Sequence, residues 1–365
     1  MKGSPMLPQI RFVMAGFLAA ALLAGSSRAA DLTESLKTGT PDIKSVGPLA
    51  FGPDGVLFVG DSKAATIFAI DTGDRTPSPA GPFKIEGIDE KIAAMLGTEA
   101  KQISLNALAV NPSSGRAYLS ISRGRGPDGV PVLVRADREG KIEEVPLKDV
   151  KFSKAVLPNA TQGKGRQDAI THIAFVKDRV FVAGLSNEEF ASKLRAIPFP
   201  FTEADKGASV EIYHGSHGRF ETNSPVRTFV AYEINGEDNL LAAYTCTPLV
   251  KIPVSQLKPG ERVKGTTIAE LGNGNSPLDM IVYQKDGKDF ILMANSRRGV
   301  MKITTDNIDK IDPITKPQRT TAGLTYETIQ ALKGVKHLDR LSKDNALALV
   351  QTDTGGMNLE SIALP

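Results

Sequence analysis

The stretch Pro48-Leu-Ala-Phe51, Gly52-Pro-Asp-Gly55, Val56-Leu-Phe-Val-Gly-Asp61 is a short apolar run, a polar turn, and a second apolar run ending in small or polar residues. Pro presets one turn position and Gly supplies a positive φ, so the stretch reads as a hairpin. Related copies begin near Ala107, His172, Phe229, Asp279 and His337, about 50 to 65 residues apart. The second has Asn111-Pro-Ser-Ser-Gly115 as its turn, the third Lys177-Asp178, and the fifth Gln284-Lys-Asp-Gly287. Turn chemistry recurs without identical residues, and a period of this length signals stacked or radial units.

After each hairpin comes a third strand candidate, at residues 66–71, 130–134, 249–253 and 299–303. A more polar fourth follows at 141–145 and 266–270. Four antiparallel strands, apolar inside and polar outside, make a β-propeller blade, and six copies make six blades. The expectation is an all-β, six-bladed β-propeller forming a single domain over residues 31–365. The last copy, with runs at 345–350 and 357–363, ends before an outer strand. Residues 41–46 are expected to supply it, closing the ring and removing an exposed edge. Helical decorations are expected at 90–96 and 325–333.

Residues 1–30 read as a signal peptide: Lys2 and Arg11 are the positive start, residues 12–24 the apolar stretch, and Ser27-Arg-Ala29 or the neighbouring Ala30 the small-residue cleavage site. That stretch is shorter than the roughly 20 residues a bilayer span needs. The expected product is periplasmic or secreted, with no stable membrane insertion after cleavage. Among 365 residues the 34 Gly and 23 Pro favour many short strands over long helices. A net charge of +3, with the basic residues scattered among acidic ones, leaves no nucleic-acid footprint. Cys246 is the only cysteine, which excludes an intramolecular disulfide.

The segments Phe51-Gly-Pro-Asp-Gly-Val-Leu-Phe-Val-Gly-Asp61 and Ala294-Asn-Ser-Arg-Arg-Gly299 resemble those of NHL-repeat and SMP-30/gluconolactonase/paraoxonase-like propellers. That resemblance implies a metal-dependent lactonase or esterase-like hydrolase, with a central divalent cation, often calcium, polarising the substrate carbonyl. Asn106 and Asp279 occupy suitable inner-strand positions for such a cation. Gly47 and Pro48 stand where those enzymes usually carry an acidic ligand, and His172 is a poor calcium ligand.

Aligning the inner strands puts Pro48, Ala107, His172, Phe229, Asp279 and His337 in one column around the channel, preceded by Gly47, Asn106, Thr171, Thr228, Leu278 and Lys336. His172 and Asp279 are the candidates for metal ligation or proton transfer, with Arg297 for an anionic substrate group. Asn106, Thr228, Arg298 and His337 complete the candidate ligand site. Tyr213-His-Gly-Ser-His-Gly-Arg-Phe-Glu-Thr-Asn223 has two glycines that let His214 and His217 converge. Cys246 belongs to the next blade, and imidazole with thiolate suits zinc or copper. Gly124/Gly126, Gly163/Gly165 and Gly272/Gly274 do not open a helix after a parallel strand, which rejects a phosphate loop. No serine sits in a nucleophile elbow. Three functions stay open: an exported propeller binding a small molecule, a protein or a metal ion (calcium, zinc or copper) at its top face; the hydrolase; and a copper or zinc protein using His214, His217 and Cys246.

Overall fold

Asp54 and Gly55 both take left-handed backbone, at φ 57° and 71°, which glycine adopts freely and aspartate tolerates. Leu49–Phe51 then pairs antiparallel with Val56–Asp61. Val56, Leu57, Phe58 and Val59 are all fully buried. Successive side chains of a strand point to opposite faces, so both faces of this sheet must be covered. That condition is met by neighbouring sheets on either side.

The protein, seen in a computed structural model, is described for residues 32–365 apart from Thr247. The leader expected over residues 1–30 lies outside the described residues. Six sheets form a six-bladed β-propeller, opening on the inner strands Leu49–Phe51, Ile103–Val110, His172–Val176, Val226–Ile234, Pro277–Lys285 and Val335–Arg340. Blades are numbered here in that chain order. The expected third strands are present as Thr66–Asp71, Val130–Ala136, Pro248–Pro253 and Gly299–Thr304.

Apolar side chains collect between blades. Phe58, Ile67 and Ala69 of blade one meet Ile173, Val182 and Phe199 of blade three. On the other face of the same sheet, Leu57, Val59 and Phe68 meet Ala107, Tyr118 and Leu133 of blade two. Leu347 and Leu349 of blade six pack on Leu108 and Leu119 of blade two. The other three cores join blades three to four, four to five, and five to six. Around the ring the order is therefore two, one, three, four, five, six, with blades one and two exchanged relative to the chain. Burying one such Leu or Phe contributes about 1.5–3 kcal/mol, so each interface is substantial.

The exchange changes how the ring closes. Lys84–Ile85, lying between blades one and two in the chain, pairs with Met357–Ala363 as the outer strand of blade six. Phe83 and Ile85 bury in the core between blades six and two, beside Ile88 and Ile92 of the helix Ile88–Met95. Residues 41–46 do not fill that place, because Val46 is buried between blades one and two and Ile43 packs there. Lys37–Gly39 instead pairs with Val150–Val156, which returns after blade two to complete blade one. The helix expected near 90–96 is present. Residues 325–333 instead give the strand Tyr326–Thr328, outermost in blade five, and a single 3-10 turn. Tyr and Thr suit a pleated, half-buried position better than a helix. No helix of the described residues is long and apolar enough to cross a membrane.

Candidate functional site

Inner strands of four blades carry a one-residue irregularity near their start, between Leu105/Ala107, Val226/Thr228, Pro277/Asp279 and Val335/His337. A bulge of this kind re-aims the extra residue. Asn106, Arg227 and Leu278 are thereby turned into a cavity of about 760 Å³ at the wide mouth of the channel. In blade four the bulge puts the mouth position one residue earlier than the sequence column does. Thr228, expected to bind ligand, is fully buried with its hydroxyl unpartnered, and Arg227 takes its place at the mouth.

Asn106, His172, Asp279 and His337 all line that cavity, as the sequence reading placed them. His172 and Asp279 also line a second cavity of about 400 Å³ on the opposite face, so they form the waist of the channel. Asp279 accepts hydrogen bonds from Met280 N at 2.9 Å and Leu338 N at 3.3 Å, with His337 Nδ1 at 3.5 Å. Asn106 donates to Val46 O at 2.9 Å and Ser122 Oγ at 3.0 Å. His172 stands edge-on to Phe229, ring centroids 4.7 Å apart. Burial holds its pKa below the ordinary imidazole value, outweighing the charge of Asp279. Asp339, a residue the sequence reading passed over, lines the narrow mouth and accepts from Val110 N and Arg340 N, both at 2.7 Å. Burial pushes its carboxyl up to about 7, and Asp279 adds to the rise.

The rim of the wide mouth carries Lys63, Lys164, Arg166 and Arg227 against only Asp168 and Asp279. Arg166 donates to Lys63 O at 3.0 and 3.2 Å and to Thr161 O at 3.1 Å. Arg227 pairs with Asp168 at 2.9 Å and donates to Thr245 Oγ1 at 3.2 Å. Lys164 and Arg166 lie in the 3-10 stretch Gly163–Ala169, outside the hairpin repeat that organised the sequence reading. Arg297 and Arg298 are not in the channel. Their turn sits against Tyr326 and Lys333 in a separate cavity of about 390 Å³, with both backbone N–H groups on Asn295 Oδ1 at 3.1 Å.

A second convergence lies off the axis. His214 ends the strand Ala208–His214 of blade three, and Arg219–Glu221 pairs back along it. Gly218, at φ 66°, tightens the intervening turn by donating to His214 O at 2.8 Å. The turn lays the rings of His214 and His217 together, centroids 3.8 Å apart and planes tilted 35°. Glu221 accepts from both, Oε2 at 2.8 Å from His214 Nδ1 and Oε1 at 2.6 Å from His217 Nδ1. Burial opposes ionisation of Glu221, but hydrogen bonds from Ser224, His214 and His217 outweigh it and hold the carboxyl at about 2. Burial likewise keeps His214 below the ordinary imidazole value in spite of Glu221.

Cys246 comes from the second-to-third strand turn of blade four, and its ligand atom and those of the two histidines lie within 4.8 Å of one another. Among the described residues this is the only group of three or more His, Cys, Asp or Glu gathered in this way. Cys246 holds left-handed backbone, φ 63°, with its N–H on Asn275 O at 2.7 Å. Glu270 anchors the histidine turn by accepting from Gly215 N at 2.6 Å, and burial raises its carboxyl to about 7. A Cβ on residue 215 would come 2.8 Å from Glu270 Oε1, so glycine permits the approach. None of His214, His217 or Cys246 lines either channel mouth.

No protein-family model matches the chain, and no curated protein matches it. Among solved structures, the chain is similar to a putative oxidoreductase (glucose dehydrogenase) from Thermus thermophilus, at 12% identity and TM-score 0.37, covering 90% of this chain and 100% of that one. A PQQ-bound aldose sugar dehydrogenase from Streptomyces coelicolor follows at 14% identity and TM-score 0.30, covering 89% and 96%. The extracellular region of plexin A4 matches at 10% identity and TM-score 0.39, covering 90% of this chain and 47% of that one. Likeness at that level carries no argument about what this chain binds or does.

Proposed function

We propose that this chain is an exported binding propeller that takes an anionic small molecule in the wide mouth of its channel. The observation that carries the reading is the charge of the rim: four cationic side chains face two carboxylates around about 760 Å³. Both carboxylates are already engaged, Asp168 by Arg227 and Asp279 by backbone N–H groups. A cavity of this size suits a compact organic ligand, and fixed guanidinium and ammonium groups favour carboxylate or phosphate. The hydrolase implied by the sequence resemblance needs a cation at the axis. Of the two carboxylates lining the mouth, Asp168 is paired with Arg227, leaving Asp279 alone against a cationic rim, which favours an anionic ligand over a bound cation. Export rests on the leader pattern of residues 1–30, and the mass of the released product tests it.

Thermal unfolding of the purified protein with citrate, inorganic phosphate and neutral glucose tests the binding reading. A saturable rise in Tm with an anion, absent with glucose and weakened in Lys164→Glu, is the expected result. Lys164 is exposed and packs no core. No rise with either anion, or equal rises in the variant, overturns the reading.

A further inference from the structure

We propose that His214, His217 and Cys246 form a metal centre for a divalent ion of the zinc class, between blades three and four and separate from the channel. The argument starts at Glu221. A carboxylate accepts hydrogen bonds and has none to give, so both Nδ1 atoms facing it carry hydrogen. In each neutral ring the lone pair then lies on Nε2. Because the two rings lie against each other with their Nδ1 edges on one carboxylate, their Nε2 edges are side by side.

His214 is 2% exposed and its Nε2 has no hydrogen-bond partner. An unpaired buried nitrogen is left desolvated without compensation, and an ion bound to it removes that penalty. Cys246 is partly exposed, and its left-handed backbone is a conformation unfavourable for a residue other than glycine. Asn275 O accepts from its N–H at 2.7 Å, and the sulfur lies within 4.8 Å of a ring nitrogen of each histidine.

The donor set chooses the ion. Two imidazoles and one thiolate exclude calcium and magnesium, which take oxygen, and suit zinc or its congeners. The thiolate and Glu221 together carry two negative charges, which matches a divalent ion. Donors around zinc stand about 2.0–2.3 Å from it and hence roughly 3.3–3.8 Å apart, a spacing these three atoms, all within 4.8 Å of one another, reach by small movements. Coordination breaks the Cys246 S–H bond and releases that proton to solvent. Glu221 is a positioning residue, orienting both imidazoles as carboxylates do behind metal-bound histidine. His217 is 43% exposed on its side chain, which leaves the centre open to a fourth, external ligand.

Cobalt(II), a spectroscopic stand-in for zinc, tests the centre in the purified chain. The expected result is one equivalent bound, with a sulfur-to-cobalt charge-transfer band that disappears in Cys246→Ser and is displaced by zinc but not by calcium. Glu221→Gln should weaken binding about 10- to 100-fold while keeping the charge-transfer band at saturation. In the wild-type chain, zinc should slow the reaction of Cys246 with a thiol reagent, a readout independent of any variant's folding. The proposal is overturned by a missing charge-transfer band, by binding unchanged in both variants, or by an unprotected thiol at saturating zinc.

Discussion

The axis of the ring and the cleft between blades three and four both gather ionisable side chains, but they treat them differently. At the axis, three hydrogen bonds tie one blade to the next: Asp279 of blade five takes Leu338 N of blade six, Asp339 of blade six takes Val110 N of blade two, and Asn106 of blade two reaches Val46 O beside blade one. In the cleft, one carboxylate aims two imidazoles, and a buried nitrogen is left without a partner. Convergence alone therefore does not mark a binding site. The bonds at the axis hold the ring, whereas the bonds in the cleft aim a buried imidazole whose Nε2 is left without a partner.

The largest effect expected from this contrast belongs to Asp339. Its folded pKa, about 7, lies above the ordinary 3.8, so its contribution to stability is fully present below about pH 4 and is lost as pH rises through 7. Each unit is about 1.4 kcal/mol, giving roughly 2–4 kcal/mol between pH 4 and 8. Urea unfolding at both pH values should show a loss smaller by that amount in Asp339→Asn, which keeps an acceptor for Val110 and has no proton to lose, the remainder in both proteins including that of Glu270, whose carboxyl is also raised to about 7. A parallel pH dependence in both proteins would break the assignment.

Glu221→Gln should cost about 1.4–2.8 kcal/mol of zinc affinity, the 10- to 100-fold second-sphere effect. Competition with a chromophoric chelator measures it. Asp279→Ala sharpens the opposite side of the comparison. It should lower unfolding free energy by about 1–3 kcal/mol, by leaving the Leu338 N–H without its partner, and leave zinc affinity unchanged. Lys164→Glu should give the smallest change, a several-fold loss of citrate affinity by calorimetry with stability within about 0.5 kcal/mol of wild type.

The hairpins and third strands were legible in the sequence because each carries its own turn residues and apolar runs. Ring closure was not. Ile43 and Val46 look as fit for an outer strand as Phe83 and Ile85, and only the exchange of blades one and two decides which edge each pair meets. His172, Asp279 and His337 line the channel because the repeat aligns their strands, and Asn106 because the bulge after Leu105 turns it inward. Thr228 is carried away from the mouth because the blade-four bulge falls at Arg227, one residue before the place it takes in blades two, five and six, and nothing in Val226-Arg-Thr-Phe229 marks it. The histidine turn and Cys246 could be paired from their places in adjacent blades. The part of Glu221 was hidden, although it lies in the same short segment, because two hydrogen bonds to one carboxylate depend on the turn that stacks the rings.

X-ray absorption at the zinc edge of the loaded protein tests the central claim most directly. The account predicts one sulfur at about 2.3 Å and two imidazole nitrogens at about 2.0–2.1 Å, with the sulfur lost in Cys246→Ser. A first shell of oxygen and nitrogen alone in the wild-type protein would contradict it.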